Sequence, residues 1–187
     1  MEVAKTNQRK GIMLKKKKKI PIHIVDDNEM YLTYLDEKFR NSTNYKIFLY
    51  TSGEIFLREY ISSPKKIKNA AIIILDYYLN SINENAKNGI EILKIIKEVN
   101  KNAEVILHSS DIDDEIEELA ISNGAASFII KNENSFFRLQ NGIQLIISNK
   151  ELAKKKKQSF LTGIIFAIVF SFIAIIVSIV FFFPSLF

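Results

Sequence analysis

Between residues 20 and 153, short apolar runs alternate with segments whose apolar residues recur every three or four positions. The runs are Pro21–Val25, Lys46–Tyr50, Ala70–Leu75, Glu104–His108 and Ser127–Ile130. Ala70-Ala-Ile-Ile-Ile-Leu75 has no polar position, as expected of a strand covered by helices on both faces. The intervening segments carry helical spacing. Asn28 to Arg40 presents Met30, Tyr31, Tyr34, Leu35 and Phe39; the segment after Thr51-Ser-Gly presents Ile55, Phe56, Leu57 and Tyr60. Pro64 and the lysines after it predict a turn. Gly89 to Val99 and Ile112 to Asn123 predict further helices, the latter stopped by Gly124 as a left-handed C-cap. A last helix is expected from Ser135 to about Lys157. Five strands alternating with five helices predict an α/β fold, a doubly wound five-stranded parallel sheet with helices on both faces.

The pattern then changes. Phe160 to Phe183 contains no charged residue and only four polar or small interruptions, Thr162, Gly163, Ser171 and Ser178. At ~1.5 Å per residue, such a helix exceeds the ~30 Å hydrocarbon core of a bilayer. Lys154–Lys157 lie directly before it, so the positive-inside rule places the preceding residues in the cytoplasm. The chain therefore reads as a single-pass, C-terminally tail-anchored protein of the cell membrane. Its expected parts are a basic flexible arm (1–19), a folded domain (20–153), a basic juxtamembrane linker (154–158), and a transmembrane helix with a short tail (159–187). The N-terminus does not read as a signal peptide, because only Ile20–Val25 separates its lysines from two aspartates.

Charge sharpens this division. The chain has a net charge of +5, which at first suggests a nucleic-acid or anionic-lipid partner. Residues 1–19 hold eight Lys/Arg and one acid, and 154–157 are four lysines, whereas residues 20–153 hold 14 basic and 20 acidic residues. The folded domain is thus acidic. A nucleic-acid partner is not expected; anionic lipid at Lys15–Lys19 and Lys154–Lys157 is. With no Cys and two His, thiolate and multi-histidine metal sites are excluded, as is a cysteine nucleophile. His23 and His108 fall within strands and read as core or strand-face residues.

Parallel strands share polarity, so their carboxyl ends meet at one edge, where ligands bind in such sheets. Strand one ends at Asp26-Asp27, strand three at Asp76, strand four at Ser109 and strand five at Lys131. Three converging carboxylates repel unless a cation neutralises them. An oxygen-only set without Cys suits a hard ion such as Mg²⁺, and a nearby ammonium can pair with a carboxylate or a phosphoryl oxygen.

The ordered set Ile-Val-Asp26-Asp27, Ile-Ile-Ile-Leu-Asp76, Val-Ile-Leu-His-Ser109-Ser110 and Gly124-Ala-Ala-Ser-Phe128-Ile-Ile-Lys131 resembles the response-regulator receiver domains of two-component signalling. The resemblance covers about Ile20 to Glu151 and implies the chemotaxis-regulator-like strand order 2-1-3-4-5. It implies that Asp76 is the phosphoacceptor and that Asp26, Asp27 and Asp76 hold Mg²⁺. It further implies that Ser109 and Lys131 contact the phosphoryl group, and that Ser109 and Phe128 form the switch that reports it. Phe128 reads equally well as a core aromatic. The implied partners are a histidine kinase or phosphotransfer protein and a downstream protein; homodimerisation is left open. Such a domain is a signalling receiver and no metabolic enzyme, with only self-phosphorylation and autodephosphorylation expected.

Two departures stand out. Asn132 follows Lys131 where the family usually has a proline in a cis bond, and the loop from Asp76 to Gly89 is longer than usual. Tyr78 and Asp111 fall where the family modulates access of water to the acyl phosphate. The alternatives are a phosphorylation-independent receiver-like docking adaptor and a metal-dependent phosphatase using the same acids.

Overall fold

A computed structural model describes residues 19–40, 44–63, 71–79 and 86–182, with side chains to 176. Most of the expected basic arm, the Pro64 turn, much of the loop before Gly89 and the tail after Phe182 lie outside the described residues. The elements are β1 (Ile20–Val25), α1 (Glu29–Arg40), β2 (Tyr45–Tyr50), α2 (Gly53–Ser62), β3 (Ile72–Asp76), α3 (Gly89–Val99), β4 (Glu104–Ser109), α4 (Asp114–Ser122), β5 (Ser127–Ile130) and α5 (Ser135–Phe182). All strand pairs are parallel and the sheet order is β2-β1-β3-β4-β5.

Alternation along the strands decides what each face buries. Val25, Ile73, Leu75, Val105 and Leu107 belong to one cluster with Phe56, Leu57 and Tyr60 of α2, Ile92, Leu93 and Ile96 of α3, and Ile116 and Ala120 of α4. Ile22, Ile24, Ile72, Ile74 and Ile106 have the opposite parity and are equally buried, as are Leu32, Leu35 and Phe39 of α1. A fully buried side chain of this kind contributes ~1.5–3 kcal/mol relative to exposure. Ile72–Leu75 of β3 are all buried, as their unbroken apolar run requires, and Asp76 at the strand end is buried with them. Both histidines are buried. His23 stacks on Phe48 at 4.9 Å, and burial pushes its pKa down to about 4 against the opposing charge of Glu59.

Local signals set the helix starts. Asn88 and Glu91 form a capping box at α3: the Asn88 side chain accepts from the Glu91 N–H at 3.0 Å, and the Glu91 carboxylate accepts from the Asn88 N–H at 2.9 Å. The α4 helix begins at Asp114, two residues later than the sequence pattern predicts, because the Asp113 side chain accepts from the Glu115 N–H and caps it. Ile112 is left exposed. Gly124, at φ 90°, provides the expected left-handed exit.

The described residues through Lys131 and those from Asn132 onward form two compact units. In the second, the sequence pattern predicts a helix to about Lys157, a linker at 154–158 and a separate span from 159. The structure instead has one helix through all three, with no non-helical break at 154–158. Lysine is a good helix former, and an isolated Gly163 is tolerated in a helix interior, so nothing in this stretch breaks the hydrogen-bond ladder. Within Ser135–Ile176 an exposed stretch of mean hydropathy 2.6 is long and apolar enough, by length and composition, to cross a membrane.

Candidate functional site

The carboxyl ends of β1, β3 and β5 bring Asp26, Asp76 and Lys131 together. Asp26 directly follows β1, where its N–H donates to the Tyr50 carbonyl at 3.0 Å. Asp76 is the last residue of β3. Lys131 follows β5 and is held at the edge by its N–H, which donates to the Ser109 carbonyl at 2.6 Å. The Lys131 ammonium lies 2.7 Å from Asp26 Oδ2 and 2.8 Å from Asp76 Oδ2. Both carboxylates are almost fully buried. No described peptide bond is cis; Lys131 reaches both acids across a trans bond to Asn132.

Electrostatics follow from burial. Removal from water pushes the Asp76 pKa up to about 7, with the Asp26 charge adding to the rise and Lys131 opposing it. Burial also raises Asp26, again against Lys131. Burial works against the charge on Lys131, yet the Asp76 and Asp26 carboxylates together lift its pKa above the ordinary lysine value.

One ligand oxygen from each of Asp26, Asp27 and Asp76 lies within 4.8 Å of the other two. Asp76 Oδ1 is buried with no hydrogen-bond partner among the described residues. An orphaned carboxylate oxygen beside two further acids fits a hard cation, because the donors are all oxygen and one of them lacks a proton to accept. Mg²⁺ therefore suits the residues present.

Ser109 ends β4, fully buried, and its Oγ accepts from the Asp111 N–H at 3.1 Å. That leaves its hydroxyl proton to donate. The register pairs Ser109 with Ile130 and Leu107 with Phe128, so Phe128 stands two positions back along β5, on the same face. Phe128 is buried in the core cluster. Across the edge, the Tyr78 hydroxyl donates to Asp111 Oδ2, bridging the segments that follow β3 and β4. This bond to Asp111 is the main cause that pushes the Tyr78 pKa up to about 12.

Two site residues escape the sequence pattern. Tyr31, an apolar-face position of α1 by spacing, lies with its ring 5.0 Å from the Lys131 ammonium. His108 of β4, the register partner of Asp76, lies with Nε2 3.4 Å from the Tyr31 hydroxyl.

Comparison with known proteins bears on this arrangement. A family model described as response regulator receiver domain matches residues 22–141. No curated protein matches the chain. Among solved structures, the BeF3-activated DrrB receiver domain aligns over 68% of this chain and 99% of its own, at 23% identity and a TM-score of 0.53. The response regulator DrrB, a Thermotoga maritima OmpR/PhoB homologue, aligns over 71% of this chain and 54% of its own, at 22% identity and 0.58. A response regulator receiver domain protein from Clostridium thermocellum aligns over 71% of this chain and 98% of its own, at 21% identity and 0.59. These likenesses show a common fold.

Proposed function

Because the chain belongs to the response regulator receiver domain family, we propose that it receives a phosphoryl group on Asp76 from a histidine kinase or phosphotransfer protein. It passes the signal to a downstream protein by contact, while the apolar part of α5 anchors it in the cell membrane with the receiver in the cytoplasm. The observation that carries the reading is the Lys131 ammonium bridging two buried carboxylates, one of which keeps an unpartnered oxygen.

The reaction follows from these groups. An Asp76 carboxylate oxygen attacks the phosphorus of a phosphohistidine. The P–N bond breaks and its electron pair leaves on the imidazole nitrogen, which takes up a proton. Lys131 offsets charge on the equatorial phosphoryl oxygens, and the Ser109 hydroxyl donates to one of them. Asp26, Asp27 and Asp76 would hold Mg²⁺, which when bound would offset the negative charge of the phosphoryl group and of the acceptor carboxylate. Drawing Ser109 toward the phosphoryl group loosens the strand end beside it, and Phe128, on the same face, repacks to report the change. Lys154–Lys157, at the start of the apolar stretch, and Lys15–Lys19 favour an anionic cytoplasmic leaflet. A docking adaptor would be favoured if Asn132 in place of proline kept Lys131 from the acids; Lys131 reaches both all the same, so no specific observation favours that reading.

The test uses the full chain in detergent micelles with acetyl phosphate and Mg²⁺. Wild type acquires one phosphoryl group, chelation of the metal abolishes it, and Asp76→Asn takes up none; labelling that persists in Asp76→Asn overturns the reading. A second outcome concerns lifetime. Tyr78 lies two residues after Asp76 with its hydroxyl tethered to Asp111, and in this reading its ring limits the access of water to the acyl phosphate. Tyr78→Ala should hasten autodephosphorylation about tenfold, measured as decay of the phosphorylated form after donor removal. An unchanged decay rate would sink the shielding role.

A further inference from the structure

The Lys131 ammonium has three N–H donors, and the two buried carboxylates account for two directions around it. A third side is occupied by an aromatic face: the Tyr31 ring centroid lies 5.0 Å from Nζ. A cation over a ring at this distance is attracted by the ring's negative face, most strongly where water is partly excluded. Lys131 is itself only 18% exposed at the side chain.

Tyr31 is not held there by core packing alone. Its backbone N–H donates to the Asn28 side chain at 3.1 Å, which fixes the first turn of α1. The Asn28 N–H in turn donates to Asp26 Oδ1 at 3.0 Å, so one residue positions both the acid and the ring. On the far side the Tyr31 ring meets His108 at 5.5 Å between centroids, with the hydroxyl 3.4 Å from His108 Nε2. His108 pairs in register with Asp76, and its carbonyl accepts from the Tyr77 N–H at 3.0 Å. Tyr31 is therefore tied to the end of β1 through Asn28 and to β4 through His108, the register partner of Asp76.

We infer that Tyr31 is a positioning residue for phosphoryl transfer, its ring holding the Lys131 ammonium over Asp76 so that the cation stays at the acceptor oxygens. The inference rests on the reading of Asp76 as phosphoacceptor. On phosphorylation Lys131 must exchange a carboxylate for a phosphoryl oxygen. A ring on its open side keeps the ammonium from swinging into solvent during that exchange, whereas an aliphatic side chain offers no such attraction.

The experiment compares full-length wild type, Tyr31→Phe and Tyr31→Leu in detergent micelles by two readouts. One is the initial rate of Asp76 phosphorylation by acetyl phosphate with Mg²⁺. The other is the rate at which Lys131 is acetylated by an N-hydroxysuccinimide ester, followed by mass spectrometry. Tyr31→Leu should slow phosphorylation about tenfold and speed Lys131 acetylation about fivefold, within the range such contacts supply. Tyr31→Phe, which keeps the ring and loses the hydroxyl, should restore most of both. Tyr31→Met serves in the same way should the leucine variant not fold. Wild-type values in Tyr31→Leu overturn the inference, as does a phenylalanine variant as impaired as the leucine one. Slower phosphorylation with unchanged Lys131 reactivity also overturns it, since that is what a general packing defect produces. Lys131 acetylation does not depend on phosphorylation. If acetyl phosphate fails to label wild type, the phosphoacceptor reading falls, while the acetylation rates still decide the role of Tyr31.

Discussion

Replacing Lys131 by methionine will slow phosphorylation of Asp76 by about a hundredfold, the scale of losing one preorganised electrostatic group. The fold will feel the change as well. Asp26 and Asp76 are nearly sealed from water, and each places Oδ2 within 2.8 Å of the same ammonium. Removing one partner of a buried ionic set leaves uncompensated charge, at a cost of about 3 kcal/mol. Methionine matches the lysine stem in length, so lost charge rather than lost packing carries the effect. The loss should shrink when Mg²⁺ is present, because a divalent cation among the three carboxylates supplies what the ammonium no longer does. Urea unfolding with and without Mg²⁺, beside acetyl phosphate labelling, checks both parts. Equal stability in metal-free buffer together with an unchanged labelling rate would refute the bridging role.

Gly89→Ala is expected to do comparable damage from a position that bears no functional group. Its amide donates to the Tyr77 carbonyl at 2.8 Å, which draws the start of α3 against the end of β3. A Cβ built there would stand 2.4 Å from the Asp76 carbonyl oxygen and 2.8 Å from Tyr77 Cα. Both neighbours are backbone and cannot rotate away, so the β3 terminus or the helix must shift. Overpacking of this kind costs about 3 kcal/mol. A displacement near 1 Å at Asp76 would lower its phosphorylation by about a hundredfold. Gly53→Ala is the informative contrast. Its Cβ would meet the tip of the Ile92 side chain, which can change rotamer, so its cost should be smaller and Asp76 labelling should persist. Thermal unfolding and acetyl phosphate labelling of the two variants separate these outcomes; a Gly89→Ala protein that labels like wild type would show the close approach to be unimportant.

How much of this was legible beforehand depends on the kind of signal. Ile72–Leu75 announces a buried parallel strand because a sheet covered on both sides leaves no position for a polar residue. Shared strand polarity then gathers Asp26, Asp76, Ser109 and Lys131 at one edge without any coordinates. Tyr31 was hidden because helical periodicity reports which face a residue lies on, and an aromatic on the inner face looks the same whether it fills a core or covers a cation. The Tyr78–Asp111 bond was hidden because it joins two loops, whose paths no residue pattern dictates. The unbroken course of α5 was missed for another reason. Four lysines punctuate hydropathy sharply, but they leave the backbone ladder untouched.

That unbroken helix has a mechanical consequence. A flexible linker would give the residues after it reach without orientation; a helix fixes their angular phase. Each residue added at Lys154–Lys157 would advance everything beyond it by about 1.5 Å and turn it by about 100°. A length change in this segment is thus chiefly a change of azimuth, and only insertions near whole turns restore the original facing.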